Sequence, residues 1–447
     1  MKLVLYSTNS EFPDETIYNK EYPDRSKIWD DIANKYLEHE IFVVTKFPAA
    51  YEFLDSSQGK FVNFPEKVKF KILPATANDE EFADIICTLK PDVAIDISLH
   101  SFNNDWGTLA NSIIGDILKS RGIKVASNSI NTALTFFDKW NAHILLKEKG
   151  FNVPNAIYIN YNLLNTDKEY PEITAVNQYK EYVFYELKKL KFPIIIKSVT
   201  GTNSTGICVA KTFEEACNFL NSNLAKTDYI AEEFISGKEY GVEIRGIEGN
   251  YYVTPPFLLS SGKDGVTHPL SNIKLGPVTN SKKHNLIELK KEMLRFANEF
   301  KTCVNAQLDL IYDGQKYYIL DVNLRCSGMT PLTCSSNRIE QLETYVEYAL
   351  QYAGVKIEQK NQEEKYSINF KLNNPKVERI EELSSIKHID SVVALEGLGL
   401  KYYSVVFGGF DTMLELLEET KLLQEKFSDI IDYSIIESIE RNIDDFT

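Results

Sequence analysis

Apolar and polar positions change period along the chain, and the changes divide it. Residues 2–6 read as a short buried strand, and over 25–37 the residues Ile28, Trp29, Ile32, Ala33 and Tyr36 recur at helical spacing. A second apolar run, 41–44, completes a βαβ opening. The pattern continues as a helix near 80–89, a strand 92–97, a helix 109–121 stopped by Gly122, a strand 123–126 and a helix over 132–149. Strands that alternate with helices predict a parallel sheet covered on both faces. No GxGxxG follows the first strand, which removes the phosphate loop of an ordinary dinucleotide fold.

Beyond Gly150 the pattern shifts to α+β. A charged helix is predicted over 180–191, strands over 192–197, 207–211 and 229–235, and a helix over 213–224. From Glu239 the signals are hairpins: 241–247 turns at Glu248-Gly249-Asn250, and 306–312 turns at Asp313-Gly314 into 317–324. A stretch rich in Lys, Glu and Gln (358–365) reads as a linker. The last segment follows, with strands near 367–370 and 391–395, a Gly397/Gly399 turn and a helix from about Thr412.

Length changes this picture only by dividing it: 447 residues predict three folding units. Charge changes it more. Lys+Arg 49 against Asp+Glu 64 gives a net −15, which repels a phosphate backbone and argues against nucleic acid as the main partner. No apolar run has the length of a signal peptide core or of a membrane span, so a cytoplasmic protein without membrane partners is expected. Cys87, Cys208, Cys217, Cys303, Cys326 and Cys334 form no CxxC pair, and the histidines have no HExxH spacing, so these read as packed thiols rather than a zinc site.

Four features carry chemistry. The strand 192–197 (FPIIIK) ends in Lys197 and runs into Gly201-Thr202-Asn203-Ser204-Thr205-Gly206, a small hydroxyl-rich turn whose N–H groups can approach phosphate while the lysine supplies a point charge. It is not a Walker A loop, because GK[ST] is absent and a strand follows. The strand at 229–235 delivers Glu232, Glu233, Phe234 and Ile235 toward a Ser-Gly turn and Glu239. On the hairpin around Gly314, Asp309, Asp321 and Asn323 offer oxygens that suit Mg²⁺, and period two puts Asp321, Asn323 and Arg325 on one face. Asp309 joins that face only with even pairing parity, which predicts a hairpin connection with an odd number of residues. The fourth feature, Asp138-Lys139, is expected inside the helix that ends at Gly150.

In this order and spacing the four together resemble the ATP-grasp superfamily over about 92–328, with likeness to D-alanyl-D-alanine ligases and to amino-acid (carboxylate-amine) ligases. The resemblance implies an α/β and α+β fold. A Rossmann-like domain would occupy 1–131, an ATP-grasp domain 132–354 with a small lobe to 236 and a large lobe from 237, and a small C-terminal α+β domain 355–447. It also implies that Lys139 and Lys197 hold the phosphates of ATP under a flap formed by Gly201, Asn203, Ser204 and Gly206. Glu232, Glu233, Phe234 and Ile235 would then meet adenine, Glu239 the ribose, and Asp309, Asp321 and Asn323 one or two Mg²⁺ ions. Arg325 matches the arginine of the carboxylase-like members, which faces the reacting anion.

The implied reaction joins a small-molecule carboxylate to an amine through an acyl phosphate. That intermediate hydrolyses in water, so residues 260–276, with Lys263, His268 and Lys274, are expected as a closing lid. His100 and Asp105 from the first domain, with Arg325, Ser327 and Gly328, are expected to select the substrate. A homodimer is the default assembly. The ligase pattern is not intact: the R-x-D of its metal hairpin reads Gln307-Leu308-Asp309, N-x-x-P-G reads Asn323-Leu324-Arg325-Cys326-Ser327-Gly328, and Asp321 replaces Glu. These departures point away from D-alanine. A carboxylating enzyme of biotin-carboxylase type and a non-catalytic ATP-binding module are the rival readings.

Overall fold

The computed structural model describes residues 1–8, 25–46, 54–55, 60–61, 65–99, 106–166, 176–201, 207–222, 224, 226–260, 272–357, 363–397 and 400–446. The opening strands β1 (Lys2–Ser7), β2 (Glu40–Lys46), β3 (Leu54–Asp55), β4 (Lys60–Phe61), β5 (Lys69–Leu73), β6 (Val93–Asp96) and β7 (Val125–Ala126) give the expected parallel sheet, in the order β5-β2-β1-β6-β7, while β3 pairs with β4 apart from it. Leu3, Leu5, Val43, Val93 and Ile95 point into one core, closed by the helices Arg25–Lys35 and Gln341–Ala353. Val4, Tyr6, Val44 and Ala94 point into the other, under Asp79–Leu89 and Trp106–Ser120. Strand β5 has no counterpart in the expected elements, because Lys69 and Lys71 interrupt its apolar run at a sheet edge.

The predicted helix over 132–149 is two helices, Ile130–Phe137 and Lys139–Glu148. Asp138 breaks it: extended at φ −102° and ψ 116°, it accepts from Asn141 N and so caps the second helix. Next comes an antiparallel sheet of β8 (Ala156–Ile159), β9 (Ile194–Ser198), β10 (Cys208–Ala210) and β11 (Tyr229–Glu233), ordered β10-β9-β11-β8. Ile194 and Ile196 pack with Val183, Leu187, Ala216 and Leu220 of the covering helices, so the alternate residue Lys197 faces away from that core.

The third sheet has nine strands: β12 (Lys238–Ile247), β13 (Asn250–Val253), β14 (Phe257–Leu259), β15 (Lys274–Gly276), β16 (Val304–Tyr312), β17 (Tyr317–Asn323), β18 (Tyr366–Lys371), β19 (Ile389–Gly397) and β20 (Leu400–Phe410). Its path is β17-β16-β12-β14-β15-β18-β20-β19, with β13 on β12. The last segment therefore extends this sheet through the β15–β18 pairing, and it shares one core with it: Val242, Leu308, Phe296, Phe370, Phe407 and Ile436 belong to a single cluster. Residues 274–276 of the expected lid are a paired strand of this sheet. Residues 261–271 lie outside the described residues.

Candidate functional site

Register decides what the sheet presents. Tyr240, Val242, Ile244, Leu308 and Leu310 enter the apolar core. The intervening positions pair across the strands as Gly241 with Asp309, Glu243 with Gln307, Gln307 with Asn323 and Asp309 with Asp321, so all share the opposite, polar face. Asp309 and Asp321 stand directly opposite each other, as the metal reading requires, but the turn does not arrange this. Tyr312 pairs with Tyr317, leaving the four-residue connection 313–316, which has the wrong parity. A β-bulge corrects it: Leu310 pairs with Ile319 and Asp309 with Asp321, so Leu320 is the extra residue. The carbonyl of Leu320, freed from the ladder, accepts from Lys197 Nζ at 3.1 Å.

Lys197 also pairs with Glu232, 2.7 Å from Nζ to Oε2, across the β9–β11 ladder. Burial alone would lower its pKa, but Glu232, Asp321 and Asp309 together raise it above the ordinary lysine value. Lys139 opens its helix at the Asp138 break rather than lying inside a longer one. Its backbone N–H donates to Val199 O at 2.8 Å, and its Nζ lies 3.3 Å from Asp321 Oδ2 and donates to Gly201 O at 3.2 Å. The break thus aims this lysine at the carboxylate pair.

Beyond the carboxylates, side chains form a chain. Arg325 Nη2 donates to Asn323 Oδ1 at 3.0 Å, Asn323 Nδ2 to Gln307 Oε1 at 3.0 Å, and Gln307 Nε2 to Asp309 Oδ1 at 2.6 Å. Because guanidinium only donates and carboxylate only accepts, both amides between them have one orientation that satisfies every link. Burial and then Asp321 push the Asp309 carboxyl up to about 6, against the lowering effect of Gln307, Lys274 and Arg325. Two opposed carboxylates with an amide oxygen form an all-oxygen donor set, and the cost of ionising Asp309 beside Asp321 fits a hard divalent cation between them. Among the described residues no group of three or more His, Cys, Asp or Glu side chains is placed to hold a metal, so Asn323 would complete the set.

The strand after Asn323 turns sharply onto the sheet. Ser327 N donates to Thr330 Oγ1 at 2.9 Å, Thr330 Oγ1 to buried Glu243 Oε1 at 2.5 Å, and Cys326 N to Ser98 O of the first domain at 3.1 Å. Gly241 leaves room for Met329 beneath this turn: a Cβ there would lie 2.0 Å from Met329 Sδ, so that side chain would have to move. Ser327 Oγ accepts from Met329 N at 3.0 Å, so this hydroxyl shapes the turn. Gly328 lies beside Lys274, whose Nζ would be 3.5 Å from an added Cβ.

The adenine set divides. Glu232 is turned inward onto Lys197. Glu233 instead ties down backbone and side-chain groups at the other end of the strand, accepting from Lys191 N at 2.8 Å and Asn155 Nδ2 at 3.1 Å, and the Phe234 N–H is bonded to Pro193 O at 3.0 Å. Ile235 and Glu239 follow on either side of the Ser236-Gly237 turn, with Glu239 paired to Ile311 on the polar face. Asn203, Ser204, Gly206, His100, Asp105, Lys263 and His268 lie outside the described residues.

Three contributors were not anticipated. His143 sits one helical turn beyond Lys139, buried, stacked on Trp140 and 4.0 Å from Glu232; burial, then Lys147 and Lys197, lower its pKa to about 4, so it is neutral. Its i, i+4 spacing from Lys139 was a legible signal. Glu243, paired with Arg245 at 2.8 Å, and Lys371 carried none, since each depends on strand register.

A lysine at a helix break, a strand lysine, opposed hairpin aspartates and a trailing arginine thus converge from distant parts of the chain. Residues 136–329 match the model of the ATP-grasp domain. The chain carries an ATP-grasp domain. It is 25% identical over 199 residues to carbamoyl-phosphate synthase of Methanobrevibacter smithii, covering 42% of this chain and 52% of that protein. It is 24% identical over 240 residues to D-alanine–D-alanine ligase of Buchnera aphidicola, covering 52% of this chain and 72% of that one. The chain thus spans about half the length of the first of these relatives. The crystal structure of L-amino acid ligase from Bacillus licheniformis has the same ATP-grasp fold, with TM-score 0.63 at 14% identity over 96% of this chain and 98% of that one. No helix among the described residues is long and apolar enough to cross a membrane.

Proposed function

We propose that this protein is an ATP- and Mg²⁺-dependent carboxylate-amine ligase, which joins an amino acid or similar small acid to an amine through an acyl phosphate. The observation that carries the reading is the ordered polar face: cations at Lys139 and Lys197, the Asp309–Asp321 pair beside them, and Arg325 linked to that pair through Asn323 and Gln307. The ATP-grasp match and relatives named as ligases and synthases support it.

Lys139 and Lys197 would balance phosphate charge, and Asp309, Asp321 and Asn323 would hold Mg²⁺, which when bound neutralises the triphosphate. Glu239 would meet the ribose, and the flap that begins at Gly201 would cover the phosphates. The substrate carboxylate would attack the γ-phosphorus and expel ADP, and the amine, losing a proton, would then attack the acyl carbon of the acyl phosphate and expel phosphate. Arg325, fixed by Asn323, would stabilise the charge that develops on the reacting anion. Glu243 is a positioning residue: through Thr330 it fixes the turn that carries Arg325 to Gly328.

The test is phosphate release with ATP and Mg²⁺ across pairs of amino acids, their D-forms and small di-acids, with products read by mass. A ligase gives release that needs both partners and a product lighter by one water than their sum. A carboxylated product, or binding of ATP without turnover across the panel, overturns this reading.

A further inference from the structure

The polar face does not stop at the ATP-grasp strands. Register carries it across the junction with the last segment: Leu259 pairs with Lys274, Lys274 with Asn369, and Lys371 with Ser404. Since Asn369 and Lys371 are two apart on β18, both share the face of Lys274, and Lys371 is its diagonal neighbour. Lys371 Nζ donates to Asn369 Oδ1 at 3.2 Å and to Ser404 Oγ at 2.7 Å. Asn369 is fixed in turn, its Nδ2 bonded to Ser404 Oγ at 2.8 Å and Val405 O at 2.9 Å. The Lys371 ammonium is therefore held by neutral acceptors in one preset position, with an N–H to spare.

Neither lysine has a carboxylate within ion-pair distance among the described residues, in a chain with fifteen more acids than bases. Two neighbouring ammonium groups without such a partner repel each other and are costly to bury. Burial lowers the pKa of each: Lys274 falls to about 8, with Asp309 and Glu243 opposing the shift and Arg325 adding to it, and Lys371 is lowered further by Lys274. Lys274 Nζ also overhangs Gly328, at the end of the turn that presents Arg325. Such an arrangement repays its cost when an anion binds between the cations.

We propose that Lys274 and Lys371 form a second anion site beside Arg325, which holds a substrate carboxylate other than the one that is activated. The site deepens the ligase reading and rests on it for the reaction, though not for binding. It makes the last segment part of the active site, because Lys371, Asn369 and Ser404 all belong to it. The carboxylate held there belongs either to a dicarboxylic acid, whose other end is activated, or to an amino acid that supplies the amine.

Calorimetric titration of the full chain, loaded with Mg²⁺ and a non-hydrolysable ATP analogue, tests this with matched probes: succinate against succinamate for the di-acid, L-alanine against L-alaninamide for the amine. One pair should favour the carboxylate form by roughly 10- to 100-fold, the worth of a charge-assisted hydrogen bond. Lys371→Met should abolish that preference, and Lys371→Arg, with an unchanged melting temperature, should keep it. The pair that discriminates names the source. Failure of both pairs to discriminate, or a preference that survives Lys371→Met, overturns the site. Discrimination without phosphate release would leave the site standing and remove the ligase reading, whereas amide formation indifferent to Lys371→Met would do the reverse.

Discussion

Two pairs of lysines on this molecule have opposite surroundings. Lys139 and Lys197 each stand against a carboxylate, Asp321 at 3.3 Å and Glu232 at 2.7 Å. Lys274 and Lys371 have no carboxylate at ion-pair distance among the described residues: Lys371 is bonded to neutral acceptors, and Asp309 and Glu243 act on Lys274 only from farther away. The first pair is neutralised within the protein, and Lys197 keeps its proton more firmly than a free lysine. The second pair holds its protons less firmly. On the proposed reading, one polar sheet face would treat two anions differently: phosphate charge would arrive with a cation and meet paired groups, whereas a bare carboxylate would need cations that have no carboxylate at ion-pair distance.

The largest effect should come from removing Asp321, the carboxylate that pairs with Lys139 and is proposed to hold the metal. Asp321→Asn is expected to reduce Mg²⁺-dependent turnover by roughly a thousandfold or more, because the proposed metal ligand and a lysine partner are lost together. Magnesium titration of phosphate release checks it, and a variant that saturates at wild-type magnesium would break the comparison at its balanced end. Next is Arg325→Ala, expected to lower kcat by about two to three orders of magnitude while leaving ATP affinity near wild type. A loss confined to ATP affinity would place Arg325 with the phosphate lysines instead.

The smallest effect is in pH. Lys274 is charged below about 8 and loses its proton as pH rises through that value, so its attraction for a carboxylate fades on the alkaline side. Lys197 has its pKa raised and stays charged there. The KM for the carboxylate-bearing substrate should therefore climb severalfold between about pH 7 and 9 while the KM for ATP stays flat. Lys274→Arg should flatten the first curve. Parallel curves in the wild type would show that the two cation pairs are not distinct.

Period and spacing alone located most elements and the main charged groups. Unbroken apolar runs such as 41–44 read as doubly buried strands because a parallel sheet covers both faces, and β2 has that burial pattern. The same reasoning merged two helices at Asp138, since a capping carboxylate and an interior polar residue look alike until the backbone turns there. It also assigned the parity of the metal hairpin to its turn, where a bulge at Leu320 provides it; no composition signal marks a bulge formed by leucine. The last segment read as separate because a charged stretch precedes it, yet β18 pairs with β15.

Residue types and their order were thus legible along the chain: lysine, flap, acidic strand, paired aspartates, arginine. Local propensity and short-range spacing encode those directly. The tertiary structure decided which of them meet. Glu243 beneath the arginine turn, Asn369 fixing Lys371, and the approach of Lys371 to Lys274 all follow from strand register between segments tens of residues apart, and a shift of one residue would turn each to the opposite face.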